Sequence, residues 1–87
     1  MQIKVIGMPC TKTARTLQNA RAAAVKFAHK PTVQWINDIH EIVEMGRFPI
    51  PAIVVNGKFK LTGRIPSIYE ITSWIEEELQ VEEELAA

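Results

Sequence analysis

A single cysteine, Cys10, stands among the 87 residues, so no internal disulfide can hold this chain together. Acid is missing from a long stretch as well. Residues 1–37 contain six Lys or Arg and no Asp or Glu, whereas the ten acids and the other four bases all follow from Asp38 onward. No apolar run approaches the roughly 18 residues of a membrane span, and "MQIKVIG" carries no cleavage-type region. There is no internal repeat and no linker composition. These absences argue against a disulfide scaffold, a membrane protein and a multidomain chain. A free thiol suits a reducing compartment. The expectation is one soluble cytoplasmic domain over residues 1–87, closed by an acidic tail from about residue 80. The basic first half has no aromatic-studded strand, so it reads as a solvated helix face and no nucleic-acid partner is expected.

What is present is periodic. "QIKVI" (2–6) reads as a strand with Ile3 and Val5 on one face. A helix is expected from Thr11 to His29, with Ala14, Leu17, Ala20, Ala24 and Phe27 or Ala28 as its apolar face and Pro31 as its stop. "TVQWI" (32–36) is a second strand, and Asn37 or Asp38 caps a short helix ending near Gly46. "AIVV" and "KFKLT" flank Asn56-Gly57, a two-residue hairpin signal. Ser67 and Glu70 form a capping box for a last helix with Ile68, Ile71, Ile75 and Leu79 as its buried stripe. The order β-α-β-α-β-β-α implies an α/β fold with a mixed four-stranded sheet and helices on both faces. Helical connections predict three parallel strands with the hairpin adding an antiparallel edge.

"GMPCTKT" (7–13) places Cys10 at the first strand-to-helix junction. There the helix dipole and unsatisfied N–H groups favour a thiolate, the form that attacks disulfides. Lys12 and Arg15 add positive potential, and the Thr13 hydroxyl stands one turn on, within reach of the sulfur. Pro9 stiffens the approach to Cys10. His29 and His40 read as cap and surface residues rather than metal ligands, and Trp35 and Trp74 as core or core-edge.

Gly7 with Cys10, the run Ile50-Pro51-Ala52-"IVV"-Asn56-Gly57-Lys58, and the turn Gly63 to Ser67 together resemble the thioredoxin fold. The similarity is to the small thioredoxin- and glutaredoxin-like group of the redox-active disulfide protein 2 type, over about residues 2–79. That group carries Cys-x-x-Cys; here Thr13 replaces the second cysteine. The resemblance implies a cis bond before Pro51, with the Ile50 backbone presented to an extended substrate. It also implies thiol-disulfide exchange, with Cys10 as nucleophile, Thr13 beside it, and Pro9, Ile50 and Pro51 at the substrate. Without a resolving thiol, the mechanism would be monothiol. The partners would be disulfide-containing or glutathionylated proteins or a small thiol. No cofactor is implied, an external thiol such as glutathione serving as co-substrate with Lys12, Arg15 and Arg64 attracting it. A redox-inactive, peptide-binding module is the alternative.

Overall fold

The computed structural model describes residues 1–86. The elements are β1 (Gln2–Ile6), α1 (Thr11–Ala24), β2 (Thr32–Ile36), α2 (Ile39–Glu44), β3 (Ala52–Val55), β4 (Lys58–Thr62) and α3 (Ile68–Ala86). They build one mixed four-stranded sheet in the order β2-β1-β3-β4. The two-residue side-chain alternation of the strands divides the core between the two faces. Ile3, Val5, Ile53 and Val55 meet Leu17, Ala20 and Ala23 of α1 and Ile71 and Ile75 of α3. Ile6, Ile36, Ala52 and Val54 meet Ile42 of α2 on the opposite face, with Met45 and Phe48 packed against them. All four residues of β3 are buried, as a central strand covered on both faces requires.

Strand direction departs from the expectation. β1 pairs in parallel with β2 but antiparallel with β3, with Ile6 opposite Ala52 and Ile3 opposite Val55. Helix α2 rises only about 9 Å over its six residues. The chain does not travel back along the sheet after it, and β3 starts at the end where β2 finished. The consequence is functional. The end of β1, which leads to Cys10, and the start of β3, which follows Pro51, share one end of the sheet.

Helix α1 is shorter than expected, ending at Ala24 rather than His29. Lys26 and Phe27 donate to the carbonyls three residues back, Ala23 and Ala24, which tightens the chain into turns. Phe27 thereby folds onto the core, and Lys30 takes a left-handed φ of 45° before Pro31. The buried stripe is also rotated. Thr13 and Thr16 are buried, while Ala14 and Ala28 are exposed. The Thr16 hydroxyl is satisfied by donating to the Lys12 carbonyl at 2.8 Å.

Elsewhere the local signals act as expected. Asp38 is the N-cap of α2, accepting from the His40 amide at 3.0 Å. Asn56 and Gly57 both have positive φ, which the tight hairpin requires. Ser67 and Glu70 exchange capping-box bonds of 3.0 and 3.1 Å. The acidic tail continues α3 as far as Ala86; Ala87 lies outside the described residues. A bulge opposite Ile53 and Val54 leaves Lys60 without a strand partner, and its ammonium reaches the buried Glu78 carboxylate at 2.8 Å. Lys58 approaches the same carboxylate at 3.3 Å, so two cations tie α3 to the outer strand. No helix among the described residues is long and apolar enough to cross a membrane.

Candidate functional site

Cys10 is itself the N-cap of α1. Its backbone is extended (φ −165°, ψ 170°), and its carbonyl accepts the first helical bond, from the Ala14 amide at 2.9 Å. No side-chain cap satisfies the first turn, and that turn holds no acid. The amides of Lys12 and Thr13 are therefore left to point at the sulfur, which is exposed to solvent. The Thr13 hydroxyl lies 3.4 Å from Sγ. Together these hold the thiol below its ordinary pKa. The Thr13 hydroxyl contributes most, followed by the Thr13 amide, with smaller help from the Lys12 amide and charge.

Thr13 is 1% exposed and faces inward, so the two ends of this contact differ: an accessible sulfur above, a buried hydroxyl below. Gly7 makes room for it. A Cβ on Gly7 would stand 2.5 Å from Thr13 Oγ1 and 3.2 Å from its methyl, closer than side chains tolerate. Gly7 is also fixed from the other side. Its amide donates to the Ile36 carbonyl at 3.0 Å, and its carbonyl accepts from the Trp35 indole N–H at 2.8 Å. Sequence reasoning placed Trp35 in or near the core and missed this role. The signal available was general: a half-buried indole N–H needs a partner.

Pro9 and Cys10 line one side of an open, almost wholly apolar hollow of about 180 Å³, completed by Ala14, Leu17 and Trp35. Ile50 and Pro51 do not line it. They precede β3, and extending the β1–β3 register by one residue sets Pro51 beside Gly7. The Ile50–Pro51 bond is cis. The Pro51 carbonyl accepts from the Gly63 amide at 2.9 Å, which ties this turn to the end of β4. Met8 and Ile50, 38% and 39% exposed, give the surroundings an apolar rim. Arg64 is not free to attract an anionic thiol as expected. Its guanidinium is engaged with both carboxylate oxygens of Glu70, at 3.0 and 2.7 Å, an arrangement its planar fork favours. Lys12 and Arg15 form no salt bridge among the described residues.

The hydrogen bonding predicts a pH profile. The thiolate is the alkylating form, so the rate of Cys10 alkylation should rise with a midpoint below that of an ordinary thiol. Thr13→Val keeps the shape and removes the hydroxyl, so its midpoint should move up. An unchanged midpoint, measured by iodoacetamide kinetics across pH, would mean that the hydroxyl does not hold the thiolate.

Two comparisons with known proteins agree with this architecture. The sequence model of the family described as "Thioredoxin domain" matches residues 1–76. A protein named thioredoxin from Methanothermobacter thermautotrophicus is 30% identical over 71 residues, covering 82% of this chain and 92% of that protein. With its mixed sheet, its cysteine at the first helix start and a family match running from β1 into the last helix, the chain belongs to the thioredoxin domain family.

Proposed function

We propose that this protein is a thiol-disulfide oxidoreductase working through one nucleophilic cysteine, Cys10. The observation that carries the reading is the exposed sulfur at the N-cap of α1, held below its ordinary pKa by the Thr13 hydroxyl. In the first step the Cys10 thiolate attacks one sulfur of a substrate disulfide. The substrate S–S bond breaks, a new bond to Sγ forms, and the second substrate sulfur leaves as a thiolate. Position 13 holds a hydroxyl, which cannot accept the disulfide in turn. An external thiol, such as glutathione, therefore attacks the mixed disulfide. It becomes oxidised onto the departing substrate sulfur and frees the Cys10 thiolate. Ile50 and Pro51 border the site on the β3 side, where the Ile50 backbone would receive an extended substrate chain. Lys12 and Arg15 would favour anionic thiols. A disulfide-containing or glutathionylated protein in a reducing, cytoplasmic setting is the substrate this chemistry suits.

The test is incubation with oxidised glutathione followed by intact mass measurement. One glutathione adduct should appear, vanish on addition of reduced thiol, and fail to form in Cys10→Ser. A folded protein that forms no adduct even at alkaline pH would overturn the redox reading in favour of a binding module.

A further inference from the structure

The hollow beside Cys10 has a shape and chemistry that the exchange reaction itself does not require. Ala14 and Leu17 stand one and two turns beyond Cys10 on the same side of α1, and Trp35 of β2 completes the lining. Pro9 forms the rim next to the sulfur. None of these walls carries a charged side chain. The Trp35 N–H is already committed to the Gly7 carbonyl, so it offers no donor to an occupant. Pockets for drug-sized ligands run from roughly 300 to 1,000 Å³, and an apolar cavity of about 150 Å³ takes up benzene. At about 180 Å³ the hollow matches one ring or one branched aliphatic group.

We infer that this hollow is a specificity pocket for a neutral apolar group attached close to the reacting sulfur, so that the preferred partners of Cys10 carry an aromatic or branched aliphatic group there. The inference rests on the monothiol reading for its reaction and adds the substrate class. Glutathione itself has no group of this kind next to its sulfur. It would serve as the releasing thiol, whereas the attacked disulfide would fill the pocket. Trp35 and Leu17 would then choose the substrate, while Thr13 tunes the sulfur.

The test uses two electrophiles with the same reacting carbon, iodoacetamide and N-benzyl-iodoacetamide. In both, the Cys10 thiolate attacks the CH₂ group, a C–S bond forms and iodide leaves with the bonding pair. The ratio of the two rates is measured for the protein and for N-acetylcysteine, which cancels the intrinsic difference between the reagents. The protein should favour the benzyl reagent by about tenfold over the reference ratio, the gain expected from covering apolar surface of this extent. Ala14→Leu, at an exposed helical position, should fill the hollow and return the ratio to that of the reference. Circular dichroism should show an unchanged fold. A parent ratio equal to the reference, or a benzyl preference that survives in a folded Ala14→Leu protein, would overturn the pocket. This outcome is separate from that of the redox reading. A benzyl preference without a glutathione adduct keeps the pocket and loses the exchange reaction, and an adduct without the preference does the reverse.

Discussion

Thr13→Cys should convert the protein from one that depends on external thiol into one that clears its own mixed disulfide. Position 13 is 1% exposed, and its side-chain oxygen lies 3.4 Å from Cys10 Sγ. The bare face of Gly7 leaves the space in which Thr13 sits. A sulfur introduced there would stand below the exposed Cys10 sulfur, within the approach that disulfide geometry allows. The roles would be unequal. Cys10 keeps the solvent exposure and the amides of the first turn, so it stays the attacking thiol. The introduced thiol, shielded from solvent, resolves. Once Cys10 carries glutathione, the introduced thiol attacks it, an internal disulfide forms and glutathione leaves reduced. An intramolecular thiol acts at an effective concentration of at least about millimolar. The adduct should therefore vanish in buffer without reductant, while the parent adduct persists until thiol is added. Intact mass and free-thiol counts distinguish the two. A folded variant that retains the adduct and a free thiol would show that positions 10 and 13 do not meet as described.

Gly7→Ala should damage both the fold and the site. The substitution asks for no unusual backbone angle; the damage is steric. The added carbon would meet Thr13 Oγ1 at 2.5 Å, and neither partner is a flexible chain end. Gly7 is held by the Ile36 carbonyl and the Trp35 indole, and Thr13 belongs to the buried face of α1. Overpacking of this sort costs about 1–3 kcal/mol. To relieve it, Thr13 must turn or α1 must shift, and either movement takes the hydroxyl off Cys10. Denaturant unfolding should show the loss, and the alkylation midpoint of Cys10 should rise. The pairing is tested by a double-mutant cycle. Thr13→Ala removes the crowded oxygen and methyl and leaves only a Cβ, which the added carbon would meet at 3.4 Å, an ordinary contact. In that background Gly7→Ala should cost measurably less, with a coupling of about 0.5–3 kcal/mol. Additive costs would mean that the two residues do not compete for space.

The first helix presents its N-terminus to an exposed sulfur, and the cations near it are not opposed by any acid in the first 37 residues. Thr13 places a hydroxyl 3.4 Å from the Cys10 sulfur. Under the proposed mechanism the Thr13 hydroxyl supports the thiolate, and release of a mixed disulfide falls to an external thiol. The first variant above separates those two roles.

Local chemistry in the sequence was enough to determine the order of the elements and most of their caps, the end of α1 excepted. The alternation of Ile3 and Val5, the Asn56-Gly57 turn, the Ser67–Glu70 box and Cys10 at the start of α1 each depend on residues within a few positions of one another. The placement of Cys10 one turn before Thr13 follows from the same local rule. Three matters were decided only by tertiary packing. The first is the direction of β3: a connection through α2 and residues 45–51 is compatible with either direction, and packing sets β3 antiparallel to β1. Had β3 run parallel to β1, Pro51 would stand at the far end of the sheet from Cys10. The second is which residues α1 buries. Periodicity allowed Ala14, but the space left by Gly7 draws Thr13 inward and leaves Ala14 at the rim of the hollow. The third is the use of the charges and of Trp35. Lys60 is engaged with Glu78 and Trp35 with the Gly7 carbonyl because the fold brings them within hydrogen-bonding distance. An ion pair or a hydrogen bond between distant positions leaves no periodic trace in the chain. Its energy depends on distance and solvent access, and both exist only once the chain has packed.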